Sequence, residues 1–336
     1  MDYAKIKEEL ESCTKPLFFF HDDADGICSF LLFYKFIKEG KGIIVKATPR
    51  IDSKFIRKVE EYQPDKIFVL DIAMIDDEFI DAVKTKIVMI DHHEPLEKKK
   101  IIYFNPRLEG KNVPVTYICY KAAGGDLWLA TLGAAADWFY PEYAKEFSEK
   151  YPDLLPENIK DPEKIMFETK LGELMKIFSF VIKGDTDNAN KCIKILTRIN
   201  EPYEILDQST PQGKFIYHQY EKINKEYEEL LEEALKTKAE GKTFLCIYKD
   251  VKISFTKELS NYFLHKYPEK IIVIGRERSE EVKLSFRASK INVRDVLEKA
   301  LVGIDGYGGG HEMACGANIK KKDFERFMEN FNHFLR

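Results

Sequence analysis

The chain has 336 residues, more than one typical domain, so two domains are expected. Its 44% hydrophobic and 33% charged residues are enough to build substantial cores and to cover the surface, so we expect a folded, soluble protein. The net charge of −4 argues against a general polyanion binder. No apolar run approaches the roughly 18 residues of a membrane span and the charged N-terminus does not resemble a signal peptide, so we expect a cytoplasmic protein.

The charge is divided unevenly along the chain. From Gly241 to the end there are 18 basic and 13 acidic residues, a net charge of +5, which leaves −9 for the preceding part. An acidic part that holds metal and a basic part that holds phosphate would explain this division, and chance asymmetry of solvated surfaces would explain it equally well. The six cysteines form no C-x-x-C pair, so neither a zinc site nor a disulfide framework is indicated, and we expect reduced, mostly buried thiols.

Strands alternate with helices in the first hundred residues. Strands are predicted at 17–20, 43–45, 67–70 and 87–90, and helices at 2–12, 26–38, 53–61 and 76–83. This alternation predicts an α/β domain with a parallel sheet and right-handed crossovers. Because acidic residues follow three of these strands, they should meet at the C-terminal edge of the sheet, where open α/β sheets bind ligands.

Helices are predicted after the segment Asn105-Pro106-Arg107. One of them, at 127–139, is rich in small residues and carries Asp137 within its apolar stretch. A Pro-rich segment at 151–162 precedes more helix, which could form a lid, an oligomer contact or a plain helical insertion. The charged run 214–238 has neither Pro nor Gly and predicts a helix of roughly 37 Å that links two domains, with their boundary near Gly241.

A smaller α/β domain is expected beyond Gly241, with strands at 243–248, 271–274 and 282–286 and helices at 256–265 and 293–301. Its unusual feature is the segment 306–311, which contains Gly308, Gly309, Gly310 and His311 and is predicted to be a loop. Consecutive glycines let backbone N–H groups approach an anion, although a glycine-rich loop by itself is more often a tight turn. With His311 and Arg287, this loop would make a clamp for a second phosphate or a terminal nucleotide.

Four segments bring acids or imidazoles to strand ends or to a helix. They are Asp23 with Asp25, Asp71, Asp91-His92-His93, and Asp137. Such a cluster of carboxylates would repel itself without a cation, whereas one or two divalent ions would reverse that cost. Carboxylates with few histidines and no cysteine suit Mn²⁺ or Mg²⁺ better than structural zinc, and two such ions can activate water and clamp a phosphoryl group.

Each of these segments has a plain alternative when it is considered alone. Asp91-His92-His93 could be a solvated loop, Asp71 could begin a helix, and Asp137 could be a cap or a satisfied core acid. The prediction of a metal site would be wrong only if all of these alternatives were true together. The combination therefore indicates metal-dependent phosphoester hydrolysis.

The order of these motifs resembles the DHH phosphoesterase superfamily. The resemblance lies in His21-x-Asp23-x-Asp25-Gly26, Asp71 after a hydrophobic strand, Asp91-His92-His93, and Ala130-Thr-Leu-Gly133 leading to Asp137. The segment 308–311 is similar to the glycine signature of the DHH-associated C-terminal domain of RecJ-type exonucleases, nanoRNases and cyclic-dinucleotide phosphodiesterases. The segment Ser285-Phe-Arg-Ala-Ser289, which contains Arg287, resembles another family motif. The segment 141–212 matches no motif.

The resemblance implies a role for each matching position. Asp71 would bridge two Mn²⁺ ions, Asp23 would complete one ligand shell, and Asp25, His92 and Asp137 would bind the other ion. Asp91 would orient a histidine, His93 would meet the scissile phosphate, and water between the ions would be the nucleophile. His21 lies two residues before Asp23, as in the RecJ-like branch, rather than four as in the pyrophosphatase and nanoRNase branches, so whether it binds metal stays open.

By this resemblance the expected architecture is a DHH catalytic domain at 1–212, including a helical insertion at 141–212, a linker helix at 213–240, and a DHH-associated substrate-binding domain at 241–336, with a cleft between the domains. The expected function is that of a manganese-dependent RecJ-like exonuclease that degrades single-stranded DNA or RNA to nucleoside 5′-monophosphates in DNA repair or RNA degradation. A nanoRNase or cyclic-dinucleotide phosphodiesterase that acts on short oligonucleotides is the alternative. An inactive scaffold of a replication or RNA-decay complex is a third, and a homo-oligomer is compatible with all three.

Overall fold

The computed structural model describes residues 1–46, 50–239, 241–249 and 252–335. The chain divides into two compact units, Met1–Ile223 and Asn224–Arg336. The division falls within helix α12, Pro211–Ala234, where the charged run predicted a long helix. The domain limits expected from the sequence stay a prediction.

The described residues of the first unit form seven strands and the helices that surround them. The strands are β1 Pro16–His21, β2 Lys41–Val45, β3 Arg50–Ile51, β4 Lys66–Leu70, β5 Met74–Ile75, β6 Lys86–Ile90 and β7 Ile102–Phe104. The helices that precede α12 are α1 Tyr3–Glu11, α2 Ala24–Ile37, α3 Ile56–Tyr62, α4 Asp77–Ala82, α5 Val115–Ala123, α6 Leu127–Ala136, α7 Ala144–Lys150, α8 Pro162–Glu168, α9 Lys170–Val181, α10 Thr186–Leu196 and α11 Tyr203–Leu206. Short 3₁₀ turns lie at Ser53–Phe55 and Pro106–Glu109.

Five of the strands form the parallel sheet that the alternation predicts, in the order β2-β1-β4-β6-β7. The central strands are apolar except for His21 at the end of β1 and the lysines that begin β4 and β6, because helices cover both faces of the sheet. On one face Phe19 contacts Phe79 of α4, and on the other Phe18 and Phe20 contact Phe30 of α2. The C-terminal ends of β1, β4 and β6 consequently lie side by side.

Three strands of this unit escaped sequence analysis because they are too short to show a period. Strand β7 adds a fifth member to the sheet beside β6, and β3 pairs with β5 in a separate two-stranded parallel sheet. The prediction that helix 127–139 contains Asp137 is wrong. Helix α6 ends at Ala136, because Trp138 has a left-handed backbone with φ 59° and its N–H bonds to the carbonyl of Ala135.

The described residues of the second unit form strands β8 Thr243–Lys249, β9 Ile271–Arg278, β10 Glu281–Arg287, β11 Gly306–His311 and β12 Ala314–Lys320. The helices beyond α12 are α13 Thr256–Lys266, α14 Val293–Ala300 and α15 Phe324–Phe334, and a 3₁₀ turn lies at Lys321–Asp323. The sheet order is β11-β12-β10-β9-β8, antiparallel except between β8 and β9. Phe286, Phe327 and Phe331 lie in the core between this sheet and α14 and α15.

The segment 306–311 is a strand, which corrects the prediction of a loop. It forms a hairpin with β12, and residues 308 and 310 pair with Ala317 and Cys315 in the antiparallel register. A Cβ atom on Gly310 would lie 2.5 Å from the carbonyl oxygen of Ala314, so the pairing itself requires glycine there. The sequence pattern concealed this strand because glycine has low strand propensity.

All six cysteines are buried and unpaired, as predicted. None of the helices in the described part of the chain is long and apolar enough to cross a membrane.

Candidate metal centre

The C-terminal edge of the parallel sheet brings together all the acidic and histidine side chains that the first unit was predicted to contribute. Three groups of three ligand atoms each lie within 4.8 Å of one another. They are His21 with Asp23 and Asp71, then Asp71 with His92 and His93, and Asp25 with His92 and Asp137. Asp71 and His92 each belong to two groups, so the groups form one continuous centre.

Asp71 lies in the middle of this centre and is only 2% exposed. Its N–H continues the strand ladder by bonding to the carbonyl of Ile90, and its backbone then turns into the left-handed region with φ 58°. This conformation is uncommon for residues other than glycine, although aspartate tolerates it better than most. The turn leaves Oδ2 of Asp71 3.4 Å from Nδ1 of His21, and Oδ1 3.3 Å from Nε2 of His92.

The first loop is held by the start of helix α2. Oδ1 of Asp23 accepts a hydrogen bond from the N–H of Gly26 and so caps the helix, while Oδ2 lies 3.0 Å from Nδ1 of His21. A Cβ atom on Gly26 would lie 2.5 Å from the carbonyl oxygen of His21, so only glycine lets the helix begin this close to the strand. The geometry brings His21 into the centre and leaves its role as a ligand a proposal.

Asp25 is held from the other side by helix α5. Its two carboxylate oxygens accept hydrogen bonds from the N–H groups of Val115 and Thr116, at 2.9 and 2.7 Å, and the hydroxyl of Thr116 donates to the carbonyl of Asp25. Gly133 of α6 packs against this threonine, since an added Cβ would lie 2.4 Å from its hydroxyl oxygen. The small residues before Asp137 therefore let α6 approach closely enough to support Asp25.

Asp137 is the C-cap residue of α6, and its Oδ2 lies 3.5 Å from Nδ1 of His92. A carboxylate at the C-terminus of a helix faces the negative end of the helix dipole, which is unfavourable unless a positive charge is nearby. Its position is therefore better explained by a role in the centre than by helix capping.

Asp91 is completely buried and supports His93. Its Oδ1 lies 2.7 Å from Nδ1 of His93, and its Oδ2 accepts a hydrogen bond from the N–H of the same residue at 3.1 Å. Both oxygens therefore bond to one histidine, and Asp91 does not engage its Nε2. This geometry agrees with the expected supporting role, which stays a proposal.

Without a bound cation, the carboxylates of the centre favour the protonated, positively charged form of its histidines. Burial lowers the pKa of His92, but Asp71, Asp137 and Asp25 raise it more, to about 10. Burial likewise lowers the pKa of His21, and Asp23 and Asp71 raise it well above its usual value. The histidines thus supply the positive charge that the carboxylates require.

The pKa values of Asp25 and Asp71 are shifted in opposite directions. Burial raises the pKa of Asp25 well above its usual value, and the charges of Asp71 and Asp137 raise it further. Burial and Asp23 also raise the pKa of Asp71, but the contacts with His21 and His92 outweigh them and lower it. A site that pushes the pKa values of its acids apart in this way is typical of functional centres.

The donor set fits a divalent metal. Nδ1 of His21 and Oδ1 of Asp71 are buried and make no hydrogen bond of acceptable geometry to any residue in the described part of the chain. Buried polar atoms that make no hydrogen bond are costly, and binding a cation would remove that cost. Four carboxylates and three histidines together form a donor set that suits a divalent cation.

Two functional residues were not recognised as such in the sequence. Asn105 donates to the carbonyl of His93 at 2.9 Å, and Nε of Arg107 donates to the carbonyl of His92 at 2.7 Å. Asn105 is 3% exposed and also bonds to the hydroxyl of Tyr103. In the sequence these residues are marked only by the segment Asn-Pro-Arg after a short strand. The fold shows that this segment is hydrogen-bonded to the loop that carries the histidines.

The second unit places the remaining predicted residues on one sheet. Arg287 pairs with Ala314 on β12, and Ala314 pairs with His311 on β11, so the three form one cross-strand row. Nε of Arg287 donates to Oδ1 of Asn261 at 2.9 Å, and burial lowers its pKa to about 10. Gly308, Gly309 and Gly310 belong to the exposed edge strand β11. Their role in binding substrate stays a proposal.

A parallel sheet with a carboxylate and histidine cluster at its C-terminal edge is compatible with a metal-dependent phosphoesterase. The family models agree, because the DHH family N-terminal domain matches residues 17–157 and the DHHA1 domain matches residues 241–336. The chain belongs to the DHH phosphoesterase superfamily, as its motifs predicted. A search of curated proteins finds no match.

The fold is similar to those of several solved structures. RecJ of Thermus thermophilus in complex with Mn²⁺ matches with a TM-score of 0.72 at 12% identity, over 99% of this chain and 54% of that protein. An exonuclease RecJ bound to manganese matches with a TM-score of 0.64 at 13% identity, over 99% and 93%. The pGpG-specific phosphodiesterase PggH of Vibrio cholerae matches with a TM-score of 0.51 at 14% identity, over 94% and 97%. The chain thus spans about half the length of the Thermus RecJ, and these likenesses concern the fold.

Proposed function

We propose that this protein is a manganese-dependent RecJ-like exonuclease that hydrolyses single-stranded DNA or RNA to nucleoside 5′-monophosphates. The observation that carries this proposal is the continuous centre around Asp71, in which one buried carboxylate contacts His21 on one side and His92 on the other. A shared carboxylate between two ligand groups is the arrangement that a two-metal site needs.

Different residues of the chain would have different roles in this reaction. Asp23 with His21, and Asp25 with His92 and Asp137, would hold two divalent ions on either side of Asp71. When bound, such ions stabilise charge on a phosphoryl group and lower the pKa of water. His93, oriented by Asp91, would donate from Nε2 to an oxygen of the scissile phosphate.

Three features of the chain support phosphoryl chemistry. The pKa of His93 is lowered by burial but raised more by Asp91, which favours the protonated ring that can donate a hydrogen bond. The basic excess of residues 241–336 suits a polyanionic substrate. Arg287 and His311, in one row, provide donors for a second phosphate.

The proposal is tested with purified protein, Mn²⁺ and single strands labelled at one end. Mononucleotides should accumulate from the first turnover, and the variant Asp91→Ala with His92→Ala should lose activity by more than a thousandfold, roughly as removal of catalytic groups does elsewhere. Exposed His218, which lies outside the centre, provides the control His218→Gln. Undiminished cleavage by the double variant would refute the assignment.

A nanoRNase or cyclic-dinucleotide phosphodiesterase is the second candidate. It is supported by the likeness to PggH over 97% of that protein, but an exonuclease RecJ is matched nearly as completely, over 93%, so coverage does not separate the two candidates. The dependence of turnover on substrate length distinguishes the two candidate functions. Turnover that collapses above a few nucleotides would support the second candidate, and turnover that persists on long strands would support the exonuclease.

A further inference from the structure

We propose that the exposed face of β11 and β12 binds successive nucleotides of a single strand, with Tyr307 stacking on a base and Lys283 pairing with a phosphate. This inference rests on the proposed function, because it names the part of the substrate that lies away from the scissile bond. It adds a second contact region beyond the clamp formed by Arg287 and His311.

Alternation along the strands defines this face. Leu284, Phe286, Cys315 and Ala317 belong to the core, so the residues between them point to the opposite face of the sheet. The antiparallel register then aligns three rows across β10, β12 and β11. The rows are Arg287-Ala314-His311, Ser285-Gly316-Gly309 and Lys283-Asn318-Tyr307.

Tyr307 has the properties of a stacking residue. Its side chain is 71% exposed and contributes nothing to the core, so the ring is accessible to a ligand. Its hydroxyl accepts a long hydrogen bond of 3.5 Å from the amide of Asn318, which in turn donates to Glu281 at 2.7 Å. The ring is thus oriented at its edge while its surface stays available to a nucleobase.

Lys283 supplies an available positive charge in the same row. It is exposed and, among the residues that the structure describes, has no hydrogen-bond or ion-pair partner. The nearby carboxylate of Glu281 is already neutralised by Lys320 at 2.6 Å. With Arg287 at the other end, the face carries positive charge at both ends, which complements a phosphate backbone.

The part of the middle row on β11 and β12 leaves room for the strand, whereas Ser285 on β10 is buried and its hydroxyl contacts that of Ser260 on α13. A Cβ atom on Gly309 would meet nothing within 4 Å, and one on Gly316 would meet only the carbonyl oxygen of Leu284 at 3.6 Å. Neighbouring Gly308 and Gly310 are different, because a Cβ atom there would clash with β12. Packing therefore requires glycine at 308 and 310 but not at 309 or 316, where the open floor lies between the two charged rows.

The exposed face is long enough for more than a dinucleotide. The outer rows are separated by four residues, which is about 14 Å at about 3.4 Å per residue of antiparallel strand. Stacked nucleotides advance about 3.4 Å each along a strand, so a stacked dinucleotide would cover only about half of this distance. Contacts at Tyr307 and Lys283 should consequently matter for long substrates and not for dinucleotides.

The test compares wild-type protein with Tyr307→Ala, Tyr307→Phe and Lys283→Ala on a 12-nucleotide strand and on a dinucleotide. Tyr307→Ala should lower kcat/KM on the 12-nucleotide strand by about 5- to 100-fold, mainly through KM, and leave the dinucleotide unchanged. Tyr307→Phe should retain wild-type values. Lys283→Ala should reduce the slope of log affinity against log salt by about 0.7. Exposed Lys299, on α14 behind the opposite face, gives the control Lys299→Ala, which should change neither value.

Binding of the fluorescent 12-nucleotide strand, followed by anisotropy, separates this inference from the proposed function. If the wild-type protein binds the strand without hydrolysing it and Tyr307→Ala weakens binding, the exonuclease fails and the binding face stands. Equal losses on both lengths, or unchanged binding of the long strand, would overturn the binding face. A changed oligomeric state of Tyr307→Ala with unchanged strand binding would assign the face to a second copy and would also overturn it.

Discussion

Metal binding by this protein should depend steeply on pH, because protons and metal compete for the same buried histidine. The pKa of His92 is about 10, so at pH 7 the protonated form exceeds the neutral form by roughly a thousandfold. A metal ion at this position must displace that proton, at a cost of about 4 kcal/mol at pH 7. Between pH 7 and 8 the apparent affinity for Mn²⁺ should therefore rise about tenfold for this group alone.

In the protein without metal, a rise in pH has the opposite effect and lowers the stability of the fold. The folded pKa of His92 lies above its usual value of 6.5, so protonation stabilises the fold fully below about pH 6.5. This contribution decreases as pH rises and is lost near pH 10. His21 acts in the same direction, because its pKa is also raised. EDTA-treated protein should thus unfold at a lower temperature at pH 9 than at pH 6.5, and added Mn²⁺ should reverse the order.

Isothermal titration with Mn²⁺ at pH 7, in two buffers that differ in ionisation enthalpy, counts the protons released. We expect at least one proton per protein, and the second should come from His21 if that residue binds metal. The variant His218→Gln, which changes an exposed histidine, should release the same number. Tight binding with no proton release and no dependence on pH would refute the reasoning.

Three further perturbations follow from the packing. Arg107→Ala frees the carbonyl of His92 and should weaken Mn²⁺ binding by about 10- to 100-fold without changing the circular dichroism, and Arg107→Lys should restore part of it. Gly133→Ala places a methyl group 2.4 Å from the hydroxyl of Thr116 and should lower the free energy of unfolding by about 1–3 kcal/mol in urea, whereas Gly309→Ala, with open space at its Cβ, should leave it nearly unchanged. Glu9→Gln leaves buried Lys66 without its carboxylate and should cost about 3–5 kcal/mol, measured in the same urea titration; a cost below about 1 kcal/mol would contradict the role of this ion pair.

Sequence periodicity was sufficient for the main elements of both units. The apolar runs before His21, Asp71 and Asp91 are the buried strands β1, β4 and β6, because a strand covered on both faces must be apolar throughout. The long charged run without Pro or Gly is helix α12. Strands of two or three residues, such as β5 and β7, have no period to detect and were missed.

The chemistry of the metal centre was also largely contained in the sequence. Parallel strands must deliver their last residues to one edge, so acids that follow β1, β4 and β6 could be expected to meet. Position along the chain could not show that Asp137 lies just outside its helix, because that depends on the left-handed backbone of Trp138. Nor could it show that Asn105 holds the carbonyl of His93, since hydrogen bonds to carbonyls leave no residue pattern.

The sequence by itself indicated the family and its phosphoesterase type, because the acidic and histidine motifs follow one another in a fixed order. Only the tertiary structure decided which side chains meet, since contacts such as those of Asp71 with His21 and His92 join segments far apart in the chain. The glycine segment shows the same division. Its composition predicted a loop, whereas pairing with β12 makes it an edge strand, because backbone hydrogen bonds to a partner strand outweigh the weak strand propensity of glycine.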